Sequence, residues 1–256
     1  MTSSSLSGKR ALVCGASQGI GAASALALAE LGATVILVAR NATELVKIQK
    51  SLPGSGHQIC ILDLNQTEEI ESKLKPLLPF HIVVNNSGGP AGGALTEATT
   101  QSLTAAFNQH ILSAQKIAQL AIPGMKEAQF GRFVQIISTS VKAPIPNLGV
   151  SNTIRGAMAN WAKTLSLEVG PFGITVNNVL PGYTKTPRFE SLRKSTAEKN
   201  KSSESQVEEQ WKKTTPLGRI AEPSEVAAAV AFLASPAASY ISGINLPVDG
   251  GRTPSL

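Results

Sequence analysis

A glycine-rich turn near the start of the sequence has the composition of a phosphate-binding loop. Residues 14–21 (CGASQGIG) follow the apolar run at 10–14 and precede an Ala/Leu-rich stretch at 19–31. Glycine permits positive φ angles and lets the backbone approach a pyrophosphate, and a helix N-terminus adds free N–H groups and the positive end of a dipole. An ordinary tight turn is the alternative. We predict that this loop binds the pyrophosphate of a dinucleotide through Gly15, Ser17, Gln18, Gly19, Ile20 and Gly21.

The end of the next strand-like run indicates which dinucleotide is preferred. The run at 34–39 (TVILVA) is followed by Arg40 and Asn41. Proteins that prefer NAD usually place an Asp or Glu about 20 residues after the glycine motif to bind the ribose 2′-hydroxyl. A guanidinium matches a phosphate instead. Arg40 and Asn41, aided by Ser17, therefore predict NADP(H) as the cofactor, unless Arg40 is only a solvated strand-end residue.

Strand-like and helix-like segments alternate along the chain. This alternation predicts an α/β fold, a single-domain Rossmann-type doubly wound parallel sheet in three layers. The predicted strands are residues 10–14, 34–39, 57–62, 80–85, 131–138, 174–179 and 244–248. The predicted helices are residues 19–31, 41–52, 65–77, 99–127 (or ending at Pro123), 151–169 and 224–233.

One segment differs in texture from the rest of the expected single domain, 1–256. Residues 185–213 carry eight Lys or Arg and five Glu, and no glycine occurs between Gly182 and Gly218. A solvated helical insertion and a mobile lid over a substrate both fit this composition. Because the segment follows a strand, we favour a lid at about 185–215.

Composition excludes several classes of protein. The net charge is +6, but the basic residues are scattered and aromatics make up only 4%, so nucleic-acid binding is not expected. No apolar run is long enough for a membrane span, and the start lacks an apolar signal core, which predicts a cytoplasmic protein.

Cys14 and Cys60 lie in apolar runs and are expected to be reduced and buried. No spacing of His, Cys or carboxylates suggests a metal site.

The order of motifs resembles the short-chain dehydrogenase/reductase family over residues 7–251. The glycine loop is similar to the family's TGxxxGxG, with Cys14 in place of Thr, residues 85–88 (NNSG) to its NNAG, and residues 181–186 (PGYTKT) to its PGxxxT. The resemblance implies strand order 3-2-1-4-5-6-7 and, often, a homotetramer. It also implies cofactor contacts by Asp63, Leu64, Asn86, Ser87, Gly88, Arg155, Pro181, Gly182, Thr184 and Thr186.

The catalytic positions depart from this family's pattern of Asn, Ser, Tyr and Lys. Ser138 stands at the Ser position, but Ser151 and Arg155 stand where YxxxK is expected. The Asn position falls on His110, with Asn108 close by. Neither of the two tyrosines, Tyr183 and Tyr240, begins a YxxxK.

These substitutions change the available proton chemistry. A serine hydroxyl is too weak an acid to replace a tuned phenol, and an arginine stays charged and cannot relay protons. Arg155 is expected to hold the nicotinamide ribose. His110 is the candidate acid, with a helix-face histidine as the alternative, and Tyr183 fits a pocket wall better than an acid.

The predicted function is an NADP(H)-dependent oxidoreductase acting on a carbonyl or alcohol, similar to 3-oxoacyl-acyl-carrier-protein reductases. The substrate would be a small molecule or an acyl thioester. Those reductases have basic residues just before the glycines that correspond to Gly131 and Gly173 of this chain. Here the same places are taken by Gln129, Phe130 and Phe172. The alternative is an NADP(H)-binding protein without turnover that acts as a sensor or assembly partner.

Overall fold

A seven-stranded parallel sheet forms the centre of the molecule. The computed structural model describes residues 5–255. The strands are β1 (Arg10–Cys14), β2 (Thr34–Ala39), β3 (Gln58–Ile61), β4 (Ile82–Asn85), β5 (Gly131–Ile136), β6 (Ile174–Pro181) and β7 (Asn245–Val248). Their order in the sheet is β3-β2-β1-β4-β5-β6-β7, and each neighbouring pair is parallel. The predicted doubly wound fold and the strand order are confirmed.

Helices cover both faces of the sheet. They are α1 (Gly19–Glu30), α2 (Ala42–Ser51), α3 (Glu69–Leu74), α4 (Thr100–Phe107), α5 (Ser113–Glu127), α6 (Gly149–Val169), α7 (Pro187–Asn200), α8 (Glu204–Lys213) and α9 (Pro223–Ala234). None of the helices within residues 5–255 is long and apolar enough to cross a membrane.

The core is divided by the sheet because side chains alternate along each strand. In β1, Ala11 and Val13 face α1 and α9, whereas Leu12 and Cys14 face α5 and α6. Cys14 and Cys60 are free and buried on that second face, as predicted. Burial raises the pKa of the Cys14 thiol to about 12, which keeps it protonated and unreactive.

The helix predicted at 99–127 is interrupted but does not end at Pro123. One turn of π-helix, Asn108–Leu112, joins α4 to α5 and contains His110. α5 continues through Pro123 to Glu127 because the buried face around Ile117, Ala121 and Met125 outweighs one lost backbone hydrogen bond.

The segment expected to be a lid is a pair of helices, α7 and α8. Ser203 and Gln206 form a capping box at the start of α8. Arg193 of α7 pairs with Glu190, Glu204 and Glu208, so much of the segment's charge joins the two helices. The structure gives the segment's form, and its movement stays a prediction.

Candidate functional site

A cleft of about 560 Å³ lies where the strands end at their carboxyl edge. Such a crevice, at the point where the strand order reverses between β1 and β4, is the usual ligand site of a doubly wound sheet. Two of the predicted site residues, Gly21 and His110, do not line the cleft, and the rest do. The predicted residues in its lining are Gly15, Ser17, Gln18, Gly19, Ile20, Arg40, Asn41, Asp63, Leu64, Asn86, Ser87, Gly88, Ser138, Ser151, Arg155, Pro181, Gly182, Thr184 and Thr186.

At two positions of the glycine loop, Gly15 and Gly21, the surroundings leave no space for a side chain. Gly15 has φ +62°, and a Cβ there would lie 2.6 Å from Asn86 Nδ2. A Cβ on Gly21 would lie 2.1 Å from the carbonyl oxygen of Gly15. Asn86 Nδ2 in turn donates to the carbonyls of Cys14 (3.3 Å) and Gly15 (3.4 Å). Gly21 therefore lets the start of α1 pack against the loop on the side away from the cleft. Asn86 fixes the loop's backbone through these hydrogen bonds.

One end of the cleft carries the residues expected to choose between NADP(H) and NAD(H). Arg40 is 76% exposed, and its Nη1 lies 3.8 Å from Oδ2 of Asp63. Asn41 caps α2 by accepting a hydrogen bond from the backbone N–H of Glu44 at 3.1 Å. The long ion-pair distance and the exposure leave Arg40 free to turn toward a phosphate.

The inner end of the cleft brings Ser138, Ser151 and Arg155 together. Ser151 and Arg155 lie four residues apart on α6 and so share one face of that helix. Arg155 Nη1 donates to the carbonyl of Ile136 at 3.0 Å, next to Ser138 at the end of β5. The Ser138 hydroxyl accepts a hydrogen bond from the backbone N–H of Ser140 at 3.0 Å.

Arg155 is a buried cation. Its side chain is 7% exposed and its Nε has no hydrogen-bond partner within the described chain. Burial, and then the charge of Arg188, lower the pKa of Arg155 to about 10. The group still carries its charge at neutral pH, as expected from the sequence.

His110 lies behind the cleft. Its Nδ1 is 2.8 Å from the Ser87 hydroxyl, and it lines a cavity of about 20 Å³ together with Gln135 and Arg155. Burial, and then the charge of Arg155, lower the pKa of His110 to about 3. A neutral imidazole outside the cleft is badly placed to act as the proton donor, so this geometry does not support the catalytic role expected for His110.

Tyr183 forms part of the cleft wall. Its ring stacks on that of Trp211 at 4.7 Å between centroids, and its hydroxyl accepts a hydrogen bond from Arg252 at 3.2 Å. Burial raises the pKa of Tyr183. These contacts support the wall assignment over an acid.

The two threonines of the PGxxxT stretch shape the turn after β6. The Thr184 hydroxyl donates to the carbonyl of Gly182 at 3.2 Å. The Thr186 hydroxyl caps α7 by accepting a hydrogen bond from the N–H of Phe189 at 3.2 Å. Both hydroxyls thus fix the backbone that faces the glycine loop.

Sequence reasoning did not single out several lining residues. Gly89, Arg188 and Trp211 line the cleft, the last two from α7 and α8. In the sequence, Arg188 is one of eight basic residues in the charged segment 185–213. Its place two residues after Thr186 was the available signal, since α7 begins beside the cleft.

The other histidines have structural roles. His57 Nδ1 accepts a hydrogen bond from the N–H of Val35 at 3.0 Å, and His81 Nδ1 from the N–H of Arg10 at 3.1 Å. Residues 5–255 contain no group of three or more His, Cys, Asp or Glu side chains that is placed to hold a metal.

Comparison with known proteins gives matches along nearly the whole chain. A family model described as "Enoyl-(Acyl carrier protein) reductase" matches residues 15–253. The chain is 30% identical to the NADPH-dependent reductase BacG of Bacillus subtilis, with 98% of this chain and 100% of the relative covered. It is 33% identical to the 3-oxoacyl-acyl-carrier-protein reductase FabG of Pseudomonas aeruginosa, with 96% and 98% covered.

Solved structures give the same picture. L-Sorbose reductase from Gluconobacter frateurii, crystallised with NADPH and L-sorbose, has a TM-score of 0.93 at 27% identity, with both chains fully covered. The match of fold, cleft and family model places this chain in the short-chain dehydrogenase/reductase family.

Proposed function

We propose that this protein is an NADP(H)-dependent oxidoreductase that reduces a carbonyl or oxidises the matching alcohol. The observation that carries the proposal is the glycine loop, in which Gly15 and Gly21 leave no room for a Cβ, at the mouth of a cleft that ends in Arg40. The relatives support it, because BacG is named an NADPH-dependent reductase and the sorbose reductase was crystallised with NADPH.

The residues present fit this cofactor. The backbone of Gly15 and Gly19 and the start of α1 would hold the diphosphate, and Arg40 the 2′-phosphate. Asp63 and Leu64 would flank the adenine. When bound, the nicotinamide supplies or accepts a hydride at the inner end of the cleft.

The chain's own contribution to the reaction is charge stabilisation. The hydroxyls of Ser138 and Ser151 donate hydrogen bonds to the substrate oxygen, on which negative charge develops during reduction. The Arg155 cation stabilises that charge in a largely dry site. The proton that the substrate oxygen takes up would come from solvent, with the hydroxyl of Ser151, which lines the cleft, as its route.

A binding protein without turnover is the second candidate. It is favoured by one observation, that hydroxyls and a buried guanidinium stand where a tuned acid is expected. The reductases among the relatives favour the enzyme over this alternative.

We further propose that the protein is a homotetramer. Phe107, Leu112 and Leu167 expose 41%, 39% and 70% of their surface near α4 and α6, and Phe232 and Tyr240 expose 46% and 103% near α9 and β7. Such apolar side chains suit symmetric contacts between copies. Light scattering that gives the mass of one chain at micromolar concentration would refute this. The cytoplasmic location remains a prediction that cell fractionation tests.

NADPH oxidation tests the main proposal. The assay runs over simple ketones, oxo acids and 3-oxoacyl thioesters, and fluorescence titration measures NADPH binding in parallel. Turnover on any class supports the oxidoreductase. The class that reacts shows whether the substrate is a small molecule or an acyl thioester. NADPH binding with no oxidation across the panel would favour the binding protein, and no NADPH binding would overturn both.

A further inference from the structure

Two arginines from different elements converge on Gly89 at the inner end of the cleft. Arg155 comes from α6 and Arg188 from α7, and both line the cleft with Gly89. A Cβ placed on Gly89 would lie 3.9 Å from Nη2 of Arg155 and 3.8 Å from Nη2 of Arg188. Both guanidinium groups therefore reach one common point.

The described part of the cleft does not neutralise these two charges. Its lining contains two carboxylates, Glu44 and Asp63, which lie beyond β2 and β3 near Arg40, and Asp63 pairs with Arg40. Within residues 5–255, neither Arg155 nor Arg188 has an ion-pair partner. Arg188 Nη2 donates to the carbonyl of Pro90 at 2.8 Å, and Arg155 Nη1 to that of Ile136.

Such an arrangement is costly without an anion. Like charges in a partly buried site repel, and a buried charge without a counter-charge destabilises the fold. Burial lowers the pKa of Arg188 as well as that of Arg155, so the surroundings disfavour the charged form of both side chains. An anion at the common point would relieve both effects and accept charge-assisted hydrogen bonds from two planar forks.

We propose that the space in front of Gly89 is an anion subsite, and that the substrate is a carbonyl compound bearing a carboxylate, or the corresponding hydroxy acid. The proposal rests on the oxidoreductase function above and names the class of its substrate. Arg188 and the Nη2 group of Arg155 would hold the carboxylate. Ser138 and Ser151 would bind the reacting oxygen beside the same Arg155 guanidinium, whose charge would stabilise both anionic groups.

The cofactor is the competing source of an anion. Its diphosphate already has a cradle at the start of α1, where Gly19 faces Thr186, with a Cβ on Gly19 only 3.1 Å from Thr186 Cγ2. Arg155 lies instead beside Ile136 and lines the cleft together with Ser138 and Ser151. The ribose hydroxyls of a nicotinamide nucleotide are neutral and would not offset two cations. A substrate carboxylate accounts for both arginines.

A substitution at Gly89 tests the subsite from inside. Gly89→Asp places a carboxylate at the common point, and Gly89→Asn is its neutral control of nearly the same shape. The nearest atom to the new Cβ is at 3.8 Å, an ordinary contact. The probes are 2-, 3- and 4-oxo acids of four to six carbons and their methyl esters. In wild type we expect kcat/KM at least about tenfold higher for one acid than for its ester. Gly89→Asp should abolish this preference, and Gly89→Asn should keep most of it.

A second pair of variants keeps the test decisive if Gly89→Asp does not fold. Arg188→Gln should lower the acid-to-ester ratio about tenfold, whereas Lys194→Gln, which removes an exposed charge outside the cleft on the same helix, should leave it unchanged. Equal ratios in both variants would overturn the proposal. So would NADPH affinity that falls about tenfold in Gly89→Asp or Arg188→Gln with an unchanged acid-to-ester ratio, because the anion would then be the cofactor's.

Binding without turnover separates this proposal from the function on which it rests. The NADPH complex is titrated with each oxo acid and ester while protein fluorescence is followed. Tighter binding of an acid than of its ester in wild type, lost in Gly89→Asp, supports the anion subsite even if no NADPH is consumed. Acids and esters that bind equally, or do not bind at all, overturn it even if a neutral ketone is reduced.

Discussion

The Ser87 hydroxyl and Nδ1 of His110 lie 2.8 Å apart, directly behind the candidate active site. Ser87 follows β4 and lines the cleft, and His110 sits in the π-helical turn between α4 and α5. The pair therefore ties the loop after β4 to this irregular turn. Since the imidazole is buried beside the Arg155 cation, it stays neutral, and its part is to position Ser87 and the loop.

The buried His110 should make the folded protein sensitive to acid. Its pKa is about 3 in the folded protein against an ordinary 6.5, so only the unfolded chain takes up this proton near pH 5. The contribution is fully present above pH 6.5 and is lost as pH falls, at about 1.4 kcal/mol per pH unit. At pH 5 we expect this residue to cost about 2 kcal/mol of unfolding free energy relative to pH 7.

Urea unfolding of wild type and His110→Gln at pH 7 and pH 5 measures this cost. The glutamine cannot titrate, so its stability should fall less between the two pH values, by about 2 kcal/mol. Equal losses would contradict the assignment. An NADPH-dependent rate that falls as pH rises through 6.5, and that His110→Gln abolishes, would restore His110 as the acid.

Much of the fold could be predicted because the relevant signals are local. β-branched runs such as 34–39 are continuous because both faces of a parallel strand are buried. The turn after β1 has glycine at positions where a Cβ would collide with neighbouring atoms, as at Gly15 and Gly21. These glycines mark the turn in the sequence. The helix predicted at 41–52 corresponds to α2, and the side chain of Asn41 caps its start.

The remainder depended on contacts between distant segments. The π-helical turn at Asn108–Leu112 leaves no mark in the pattern of apolar residues, and Pro123 read as a stop signal although packing carries α5 past it. Arg188 looked like any other basic residue of its segment. Only the placement of α7 over the cleft sets it beside Arg155 and Gly89, because nothing local in the sequence specifies that meeting.

Removing the buried charge of Arg155 should stabilise the protein without cofactor. A tenfold change in a protonation equilibrium is worth about 1.4 kcal/mol. A pKa of about 10 against an ordinary 12.5 then means that burial and the nearby charge of Arg188 together cost the cation about 3 kcal/mol. The lost hydrogen bond to Ile136 offsets part of this, so Arg155→Met should gain about 1–2 kcal/mol of unfolding free energy at pH 7.

Arg155→Lys is the matched control for that gain. It keeps a buried charge and should be no more stable than wild type in urea unfolding. If Arg155→Met were less stable than wild type, the guanidinium would be a net stabilising group, and the fold would not need an anion beside it.

Arg40→Ala should weaken binding of NADP(H) far more than that of NAD(H). Arg40 is 76% exposed and lies 3.8 Å from Asp63, so little holds it away from a 2′-phosphate. A lost charge-assisted hydrogen bond is worth roughly 1.5–3 kcal/mol, which is about 10- to 150-fold in Kd. Titration of NADPH and NADH measures both constants. Lys50→Ala on α2 removes an exposed charge outside the cleft and should change neither. Wild-type affinities that are equal, or tighter for NADH, would contradict the assigned cofactor.

Proton supply, and not cofactor binding, should limit turnover. Ser138 and Ser151 can orient and stabilise an oxyanion beside Arg155, but none of the three is an acid matched to neutral pH. Ser151 lines the cleft, so a phenol at its position would lie beside the substrate oxygen. Ser151→Tyr with Arg155→Lys should therefore raise turnover on simple ketones by about 10²-fold or more. Ser151→Tyr alone should gain less, because the shorter and more mobile ammonium is needed to lower the phenol's pKa.

The control is Ser151→Phe with Arg155→Lys, which has the same ring without the hydroxyl. If this control gains as much as the tyrosine variant, the effect is one of shape. If wild type turns over briskly and the tyrosine variant is slower, Ser151 and Arg155 form a working catalytic site in which the family's phenol has no place.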